Sequence, residues 1–189
     1  MRAEALAIPG CHLLTLPHFP DARGEFRKLL HAPSLAALGL ETGFVESYVS
    51  VSHRGVLRGL HFQLPPSDHA KLVCCLTGRA RDGLLDLRLG SPTYGQSLSL
   101  MLDGTVPQAL YVPRGVAHGF AAHRDGTALL YYTTSVHDPE RDAGVHADSG
   151  GIDWWAGEAG IGAPVMSPRD AALPRLQDFE SPFTYGGSA

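Results

Sequence analysis

The chain has 189 residues, of which 44% are hydrophobic, so it can bury the core of one ordinary globular domain over 1–189. Its formal net charge of −4 excludes a general nucleic-acid binder, which normally carries a basic excess, but allows a small anionic ligand held by arginines. Residues 1–10 lack the apolar core of a signal peptide, and no stretch approaches the roughly 18 apolar residues of a membrane span. We therefore expect a cytoplasmic protein that binds neither membranes nor nucleic acid.

The predicted elements are short strands separated by 22 glycines and 14 prolines. A helix is predicted at 34–40, with Ser34 as its N-cap. Strand character recurs at 44–51, 56–62, 72–76, 84–89, 98–102, 109–112 and 128–134. Residues 150–164 are predicted as a loop and 184–189 as a flexible tail. Many short strands with frequent turns favour an all-β sandwich or barrel over a parallel βαβ fold.

The three cysteines, Cys11, Cys74 and Cys75, show no metal-like spacing. Cys74 and Cys75 are adjacent, so on a strand their side chains point to opposite faces and cannot easily bridge. The pattern predicts three reduced, structural thiols rather than a disulfide framework.

Histidines are the first candidates for chemistry, since four of the ten lie near strand-like segments: His61, His69, His118 and His123. Imidazole is the commonest side-chain metal ligand, but there is no His-x-His pair and no acidic residue at a short fixed offset from His61. The spacing therefore favours acid–base chemistry over a metal site.

The segment 56–61 ends a predicted strand. Strand alternation would send Arg58 to one face and His61 to the other. Lys71, Tyr131 and Asp170 are further candidates, but each, taken alone, has an ordinary structural explanation.

The order of several motifs is more specific. RGVLRGLH at 54–61, Gln63, Lys71, SPTYG at 91–95 and YVPRGVAHGF at 111–120 together resemble the dTDP-4-dehydrorhamnose 3,5-epimerases. The resemblance runs from DARGEF at 21–26 through GIDW at 151–154 to SPRD at 167–170. It implies a cupin-type jelly-roll barrel with a few short helices, a homodimer, and no metal or other cofactor.

The resemblance also implies catalytic roles. His61 falls on the base, and Asp170 on the carboxylate that supports it. Tyr131 falls on the tyrosine that returns a proton from the other side of the sugar ring, and Lys71 lies near the C4 oxygen.

Other positions fall on substrate contacts. Arg23 and Arg58 fall where the family grips the pyrophosphate, Phe26 where an aromatic residue packs near the nucleotide, and His118 in the pocket. Gln63 completes this predicted set.

Three residues depart from the family pattern on the nucleotide side. Glu46 and Tyr48 stand where a glutamine and an asparagine are usual, and His137 stands where a tyrosine is usual. Glu46 adds a negative charge near an anionic ligand, which is unfavourable unless it accepts bonds from the base or pairs with an arginine such as Arg54. The three departures together indicate either a changed nucleotide or altered base contacts, and thymidine is the expected nucleoside.

The resemblance implies an epimerase acting on a nucleotide-linked 4-keto-6-deoxy sugar at C3, C5 or both, in deoxysugar or rhamnose biosynthesis. A sugar-nucleotide 3,4-ketoisomerase, a non-catalytic nucleotide-sugar-binding barrel and a metal-dependent cupin oxygenase are the alternatives. Fold alone cannot separate them.

Overall fold

The computed structural model describes residues 1–186. Its strands are β1 (Arg2–Ala5), β2 (His12–Thr15), β3 (His18–Asp21), β4 (Gly24–Arg27), β5 (Glu46–Ser52), β6 (Leu57–Gln63), β7 (Lys71–Thr77), β8 (Arg79–Asp86), β9 (Ser97–Asp103), β10 (Gln108–Val112), β11 (Val116–Ala122), β12 (Thr127–Thr133) and β13 (Asp142–Gly144). The α-helices are α1 (Ala32–Ala37) and α2 (Pro168–Ala171), and 3₁₀ turns cover Ala147–Gly150 and Leu176–Asp178.

The strands form two antiparallel sheets. One has the order β1-β2-β10-β7-β12-β5, and the other the order β13-β6-β11-β8-β9. Strands β3 and β4 pair only with each other, as a separate hairpin. Neighbouring strands in the sheets are often distant in sequence, such as β2 and β10, as expected for a jelly roll. The predicted all-β fold of jelly-roll type is confirmed.

Apolar side chains pack in three layers. The central layer lies between the sheets and includes Val73, Leu84, Leu110, Phe120 and Leu129. A second layer covers the other face of the β6–β11–β8 sheet with residues from the C-terminal segment, among them Trp154 and Phe183. A third layer packs α1 against the other face of the larger sheet, through Leu14, Leu35, Leu72 and Tyr111. Because the central strands of both sheets are covered on both faces, several strands are apolar throughout.

The cysteines are free and buried, as predicted. Cys75 packs in the layer between the sheets, and Cys74 packs in the layer beneath α1. The prediction that these neighbours point to opposite faces is confirmed.

The predicted helix is displaced towards its N-terminus. It begins at Ala32 with His31 as N-cap, so the prediction of Ser34 as the cap is wrong. Pro33 lies in the first turn, where a missing N–H costs nothing, and this allows the earlier start. The Ser34 hydroxyl lies 2.8 Å from Nδ1 of His31 instead.

The alternation predicted for β6 is wrong at its functional end. His61 pairs with His118 and Arg58 with Phe120, so three steps on β6 match two on β11. This extra residue is a β-bulge, and Gly59 occupies it with φ +108. As a result Arg58 and His61 point into the same cavity, while Leu57 and Leu60 pack together on the other side.

The C-terminal segment is a loop after Gly150, as predicted, until α2 begins. Within the predicted flexible tail, Thr184 forms a bridge with Leu89, and the Tyr185 N–H donates to the Leu89 carbonyl at 2.9 Å. The remainder of that tail, 187–189, lies outside the described residues. Across 1–186, none of the helices has the length and apolar character needed to cross a membrane.

Candidate active site

A cavity of about 410 Å³ opens between the two sheets. Strands β5, β7 and β12 form one wall, and β6, β11 and β13 form the other, with α2 at the rim. The predicted site residues that line it are Glu46, Tyr48, Arg58, His61, Gln63, Lys71, His118, Tyr131 and His137. The structure therefore brings together most of the predicted set.

His61 and Asp170 form a pair although 109 residues separate them in the sequence. His61 Nε2 lies 2.8 Å from Asp170 Oδ1, and Asp170 Oδ2 accepts the Gly59 N–H at 3.2 Å. Burial raises the pKa of Asp170, but the hydrogen bonds from His61 and Gly59 outweigh it and hold the pKa below its usual range. An ionised Asp170 fixes a hydrogen on Nε2, which leaves the lone pair of His61 on Nδ1.

Lys71 lies beneath His61 in the cavity wall. Its Nζ donates to the backbone carbonyl of His61 at 3.0 Å. Burial lowers the pKa of Lys71 to about 8, against the opposing effect of Asp142 and Asp82. The ammonium is thus the major form at neutral pH and is poorly hydrated, which makes it a strong electrostatic partner for an anion in the cavity.

Tyr131 is 6% exposed and reaches the cavity from β12. Burial, with a smaller contribution from Asp82, raises the pKa of Tyr131 well above its usual value, so the phenol keeps its proton. The ring of Tyr48 stacks on it at 4.8 Å between centroids and an angle of 14°. The ring of His118 meets it edge-on at 5.7 Å and 73°.

His118 belongs to a second histidine–aspartate pair. Its Nε2 lies 2.7 Å from Asp82 Oδ1, and both residues are buried. The other Asp82 oxygen is buried without a hydrogen-bond partner among the described residues. The hydrogen bond between His118 and Asp82 fixes the orientation of the His118 ring beside Tyr131.

At the rim, two of the three residues that depart from the family pattern, Glu46 and His137, contact each other. Glu46 Oε2 accepts the backbone N–H of His137 at 2.8 Å. Glu46 does not pair with Arg54, since Arg54 binds Glu158 and the Ala159 carbonyl. Glu46 therefore holds the segment that carries His137.

Gln63 holds the same segment from the other side. Its Nε2 donates to the carbonyls of Ser67 at 2.7 Å and Val136 at 3.2 Å, and its Oε1 accepts the Asp138 N–H at 2.7 Å. Although Gln63 lines the cavity, its amide is largely engaged in shaping the rim.

The arginines divide into two groups. Arg58 lines the cavity and donates to the Ser52 hydroxyl at 3.1 Å. Arg23 and Phe26 lie on the β3–β4 hairpin and do not line the cavity. The Arg23 side chain is 89% exposed and binds only Asp21 among the described residues.

His69, named among the candidate histidines but given no role, also lines the cavity. Sequence reasoning missed several other lining residues: Ser50, Phe62, Gly119, Phe120, Thr133, Asp142 and Arg169. Period-two alternation would have found Ser50 from Tyr48, and Thr133 from Tyr131. Arg169 binds Asp142 at 2.9 Å and places a second guanidinium at the rim. Its position beside Asp170 was the available signal.

No three His, Cys, Asp or Glu side chains within 1–186 are grouped so that they could hold a metal ion. Around one cavity the structure places a histidine paired with a carboxylate, a buried ammonium and a neutral phenol. These groups can remove, stabilise and return a proton.

Residues 5–178 match the family model described as dTDP-4-dehydrorhamnose 3,5-epimerase. The chain belongs to this epimerase family. It is 41% identical over 179 residues to a dTDP-4-dehydrorhamnose 3,5-epimerase from Streptomyces griseus, covering 93% of this chain and 86% of that protein. It is 38% identical over 173 residues to a dTDP-4-dehydrorhamnose 3-epimerase from Streptomyces niveus, covering 90% and 81%.

The fold of this epimerase-family chain also agrees with solved structures. It superposes with a TM-score of 0.90 and 31% identity on a dTDP-6-deoxy-D-glucose-3,5-epimerase from Legionella pneumophila, covering 98% of this chain and 99% of that one. That structure is a complex with dTDP-4-keto-L-rhamnose. The relatives thus include a protein named as a 3-epimerase, which concerns one carbon of the sugar, and proteins named as 3,5-epimerases, which concern two.

Proposed function

We propose that the chain is a cofactor-independent epimerase of a dTDP-linked 4-keto-6-deoxy sugar, with His61 as the base. The observation that carries the proposal is the His61–Asp170 pair facing the same cavity as Lys71 and Tyr131. Membership of the epimerase family supports it.

The first step breaks a C–H bond beside the C4 ketone. The proton passes to the His61 nitrogen that does not face Asp170, and the electron pair moves into an enolate. Asp170, held ionised, stabilises the imidazolium that forms.

The enolate places negative charge on O4 of the sugar. Lys71 is the buried cation available for that oxygen, and it stabilises the charge more in the transition state than in the substrate. Tyr131 then donates its phenolic proton to the carbon from the face opposite the base, which inverts the centre. The tyrosinate recovers a proton from water, and the His61 imidazolium returns its proton to water, so both groups are restored for the next turnover.

The diphosphate needs cations. Arg58 and Arg169 lie on the cavity wall and rim, and a guanidinium can make two charge-assisted bonds to a phosphate. The remaining rim residues, Glu46, Tyr48 and His137, are left for the nucleoside, which we propose to be thymidine because relatives such as the Legionella protein bind dTDP-sugars.

Arg23 and Phe26 fit the proposal if the protein is a homodimer. Their hairpin is exposed and carries two exposed aromatic rings, Phe19 and Phe26, which lie 6.2 Å apart. We propose that the hairpin of one copy completes the cavity of the second, so that Arg23 reaches the diphosphate across the interface.

Three free cysteines agree with a cytoplasmic location.

Deuterium exchange tests the reaction directly. The protein is incubated in D₂O with dTDP-4-keto-6-deoxyglucose, and incorporation at C3 and C5 is followed by NMR and mass spectrometry. Wild type should exchange at one or both carbons, and His61→Ala should lose at least about 100-fold in rate. His53→Ala is the matched control, because that histidine is 93% exposed and lies outside the cavity.

The outcomes separate the alternatives. Exchange at both carbons identifies a 3,5-epimerase, and exchange at one identifies a monoepimerase. Migration of the carbonyl to C3 would instead identify a ketoisomerase. Absence of exchange with dTDP-, CDP-, UDP- and GDP-linked ketosugars alike would refute the proposal.

A further inference from the structure

We propose that Tyr48 is a positioning residue for Tyr131, and that its ring determines which carbon beside the ketone receives the returning proton. The inference rests on the proposed function, since it concerns the proton donor of that reaction. It gives Tyr48 a role inside the protein rather than only at the nucleotide.

The contact is built into the sheet. Tyr48 on β5 and Tyr131 on β12 are directly opposite residues of an antiparallel pair, so their side chains leave the same face of the sheet as cross-strand neighbours. Their rings lie nearly parallel, at 14°, with centroids 4.8 Å apart. The flanking pairs, Val49 with Leu130 and Ser47 with Tyr132, keep this register.

The Tyr131 ring is held from a second direction. His118 meets it edge-on, and Asp82 fixes the His118 ring through a 2.7 Å bond. Of the two contacts, the one from His118 is buried on β11, whereas Tyr48 is 44% exposed on the edge strand β5. Tyr48 therefore closes the side on which the Tyr131 ring could otherwise swing.

The orientation of that ring has a chemical consequence. C3 and C5 lie on opposite sides of the C4 carbonyl, and inversion at either requires the donor opposite the base at that carbon. A ring confined to one orientation delivers its proton to a narrow region of the sugar. A ring free to swing serves both positions more evenly, so the stack controls regioselectivity.

The test compares deuterium incorporation at C3 and C5 in wild type, Tyr48→Asn and Tyr48→Phe. Tyr48→Asn should change the C3-to-C5 ratio roughly threefold or more, or create exchange at a carbon that wild type leaves untouched, and should alter kcat more than KM. Tyr48→Phe keeps the ring and should keep the ratio. Val49→Asn is the matched control, since Val49 is half-exposed, adjacent on the strand and outside the cavity.

Three results would overturn the proposal: an unchanged ratio in Tyr48→Asn, an equal change in Tyr48→Phe, which would assign the effect to the hydroxyl, or an equal change in Val49→Asn. A second measurement does not depend on turnover. In protein with ¹³C-labelled tyrosine rings, the Tyr131 signals, assigned with Tyr131→Phe, should move in Tyr48→Asn and stay in Tyr48→Phe. If wild type catalyses deuterium exchange in none of the nucleotide-linked ketosugars, the proposed function fails. Separately, Tyr131 signals that move equally in Tyr48→Asn and Tyr48→Phe, or in neither variant, refute the positioning role.

Discussion

The histidines of two histidine–aspartate pairs line one cavity, and their surroundings explain why we propose only His61 as the base. The His118 side chain is 3% exposed and its partner Asp82 is fully buried, so water and substrate have little access to the ring. The His61 side chain is 29% exposed and keeps one ring nitrogen outside the bond to Asp170. The first pair orients a neighbour, and the second can exchange a proton.

Lys71 gives the reaction an alkaline limit. Because burial lowers its pKa to about 8, the free enzyme loses this positive charge as the pH rises through that value. We expect kcat/KM, which reports on the free enzyme, to fall above pH 8 in wild type. Lys71→Met should lower kcat by about 100-fold and abolish the decrease in kcat/KM above pH 8.

Lys71→Arg is the control for this profile. Arginine keeps its charge throughout the accessible range, so any remaining activity should stay level through pH 8 to 9.5. If kcat/KM of Lys71→Arg still falls above pH 8 as in wild type, the titration belongs to another group.

Glu46 places a carboxylate at the rim of a site for an anion. Glu46→Gln removes the charge and keeps an oxygen for the His137 N–H, so we expect dTDP to bind roughly 2- to 10-fold more tightly at low salt, with a smaller gain at high salt. Isothermal titration calorimetry measures the difference. Glu4→Gln, an exposed change on β1 at the opposite edge of the sheet, controls for net charge.

Weaker binding by Glu46→Gln would contradict this expectation. It would show that the carboxylate itself accepts a hydrogen bond from the nucleoside. Unchanged affinity at low salt would show that the ligand does not sense the charge.

At the scale of elements, the bulge in β6 assembles the site. Without it, Arg58 and His61 would leave opposite faces of the strand, and only one could enter the cavity. Gly59 allows the bulge, because a Cβ there would lie 2.7 Å from the Gly119 Cα and 2.8 Å from the His118 carbonyl oxygen. Its positive φ adds strain for any other residue.

We expect Gly59→Ala to lower the free energy of unfolding by at least about 2 kcal/mol and to reduce activity more than that loss explains. Urea denaturation and the exchange assay measure the two effects. Gly43→Ala is the matched control, since its Cβ would meet nothing within 4 Å. Equal stability of both variants would show that β6 can take up the alanine by shifting its register.

The elements show how far sequence reasoning reaches. Strand β5 is predicted because it mixes aromatic, β-branched and polar residues, as strands at a partly exposed edge do. Strand β11 is buried along its whole length and contains small residues, so it lacks that pattern and was missed. The bulge arises from pairing between β6 and β11, which no local window contains, and the pairing of His61 with Asp170 was reached through resemblance rather than spacing.

At the scale of the molecule, the hairpin β3–β4 separates Arg23 from the cavity it is predicted to serve. A homodimer with exchanged hairpins predicts complementation. Arg23→Ala and His61→Ala should each be nearly inactive alone, but a randomised mixture should recover about a quarter of wild-type activity, because each heterodimer contains one intact site. Light scattering should show a dimer.

The control mixes His61→Ala with Asp170→Asn. Both residues belong to the same site within one chain, so every site in that heterodimer is defective and no activity should return. Failure of the first mixture to regain activity, or a monomeric mass in solution, would remove the exchanged hairpin from the proposal.

The reactivity of the buried cysteines can report local unfolding of the protein. Burial raises the pKa of Cys11, Cys74 and Cys75 to about 12, so at neutral pH an alkylating reagent finds almost no thiolate in the folded chain. Cys74 and Cys75 are covalent neighbours, yet one is covered by the layer beneath α1 and the other by the layer between the sheets. Timed alkylation followed by peptide mass mapping would therefore record which layer loosens first, without any introduced label.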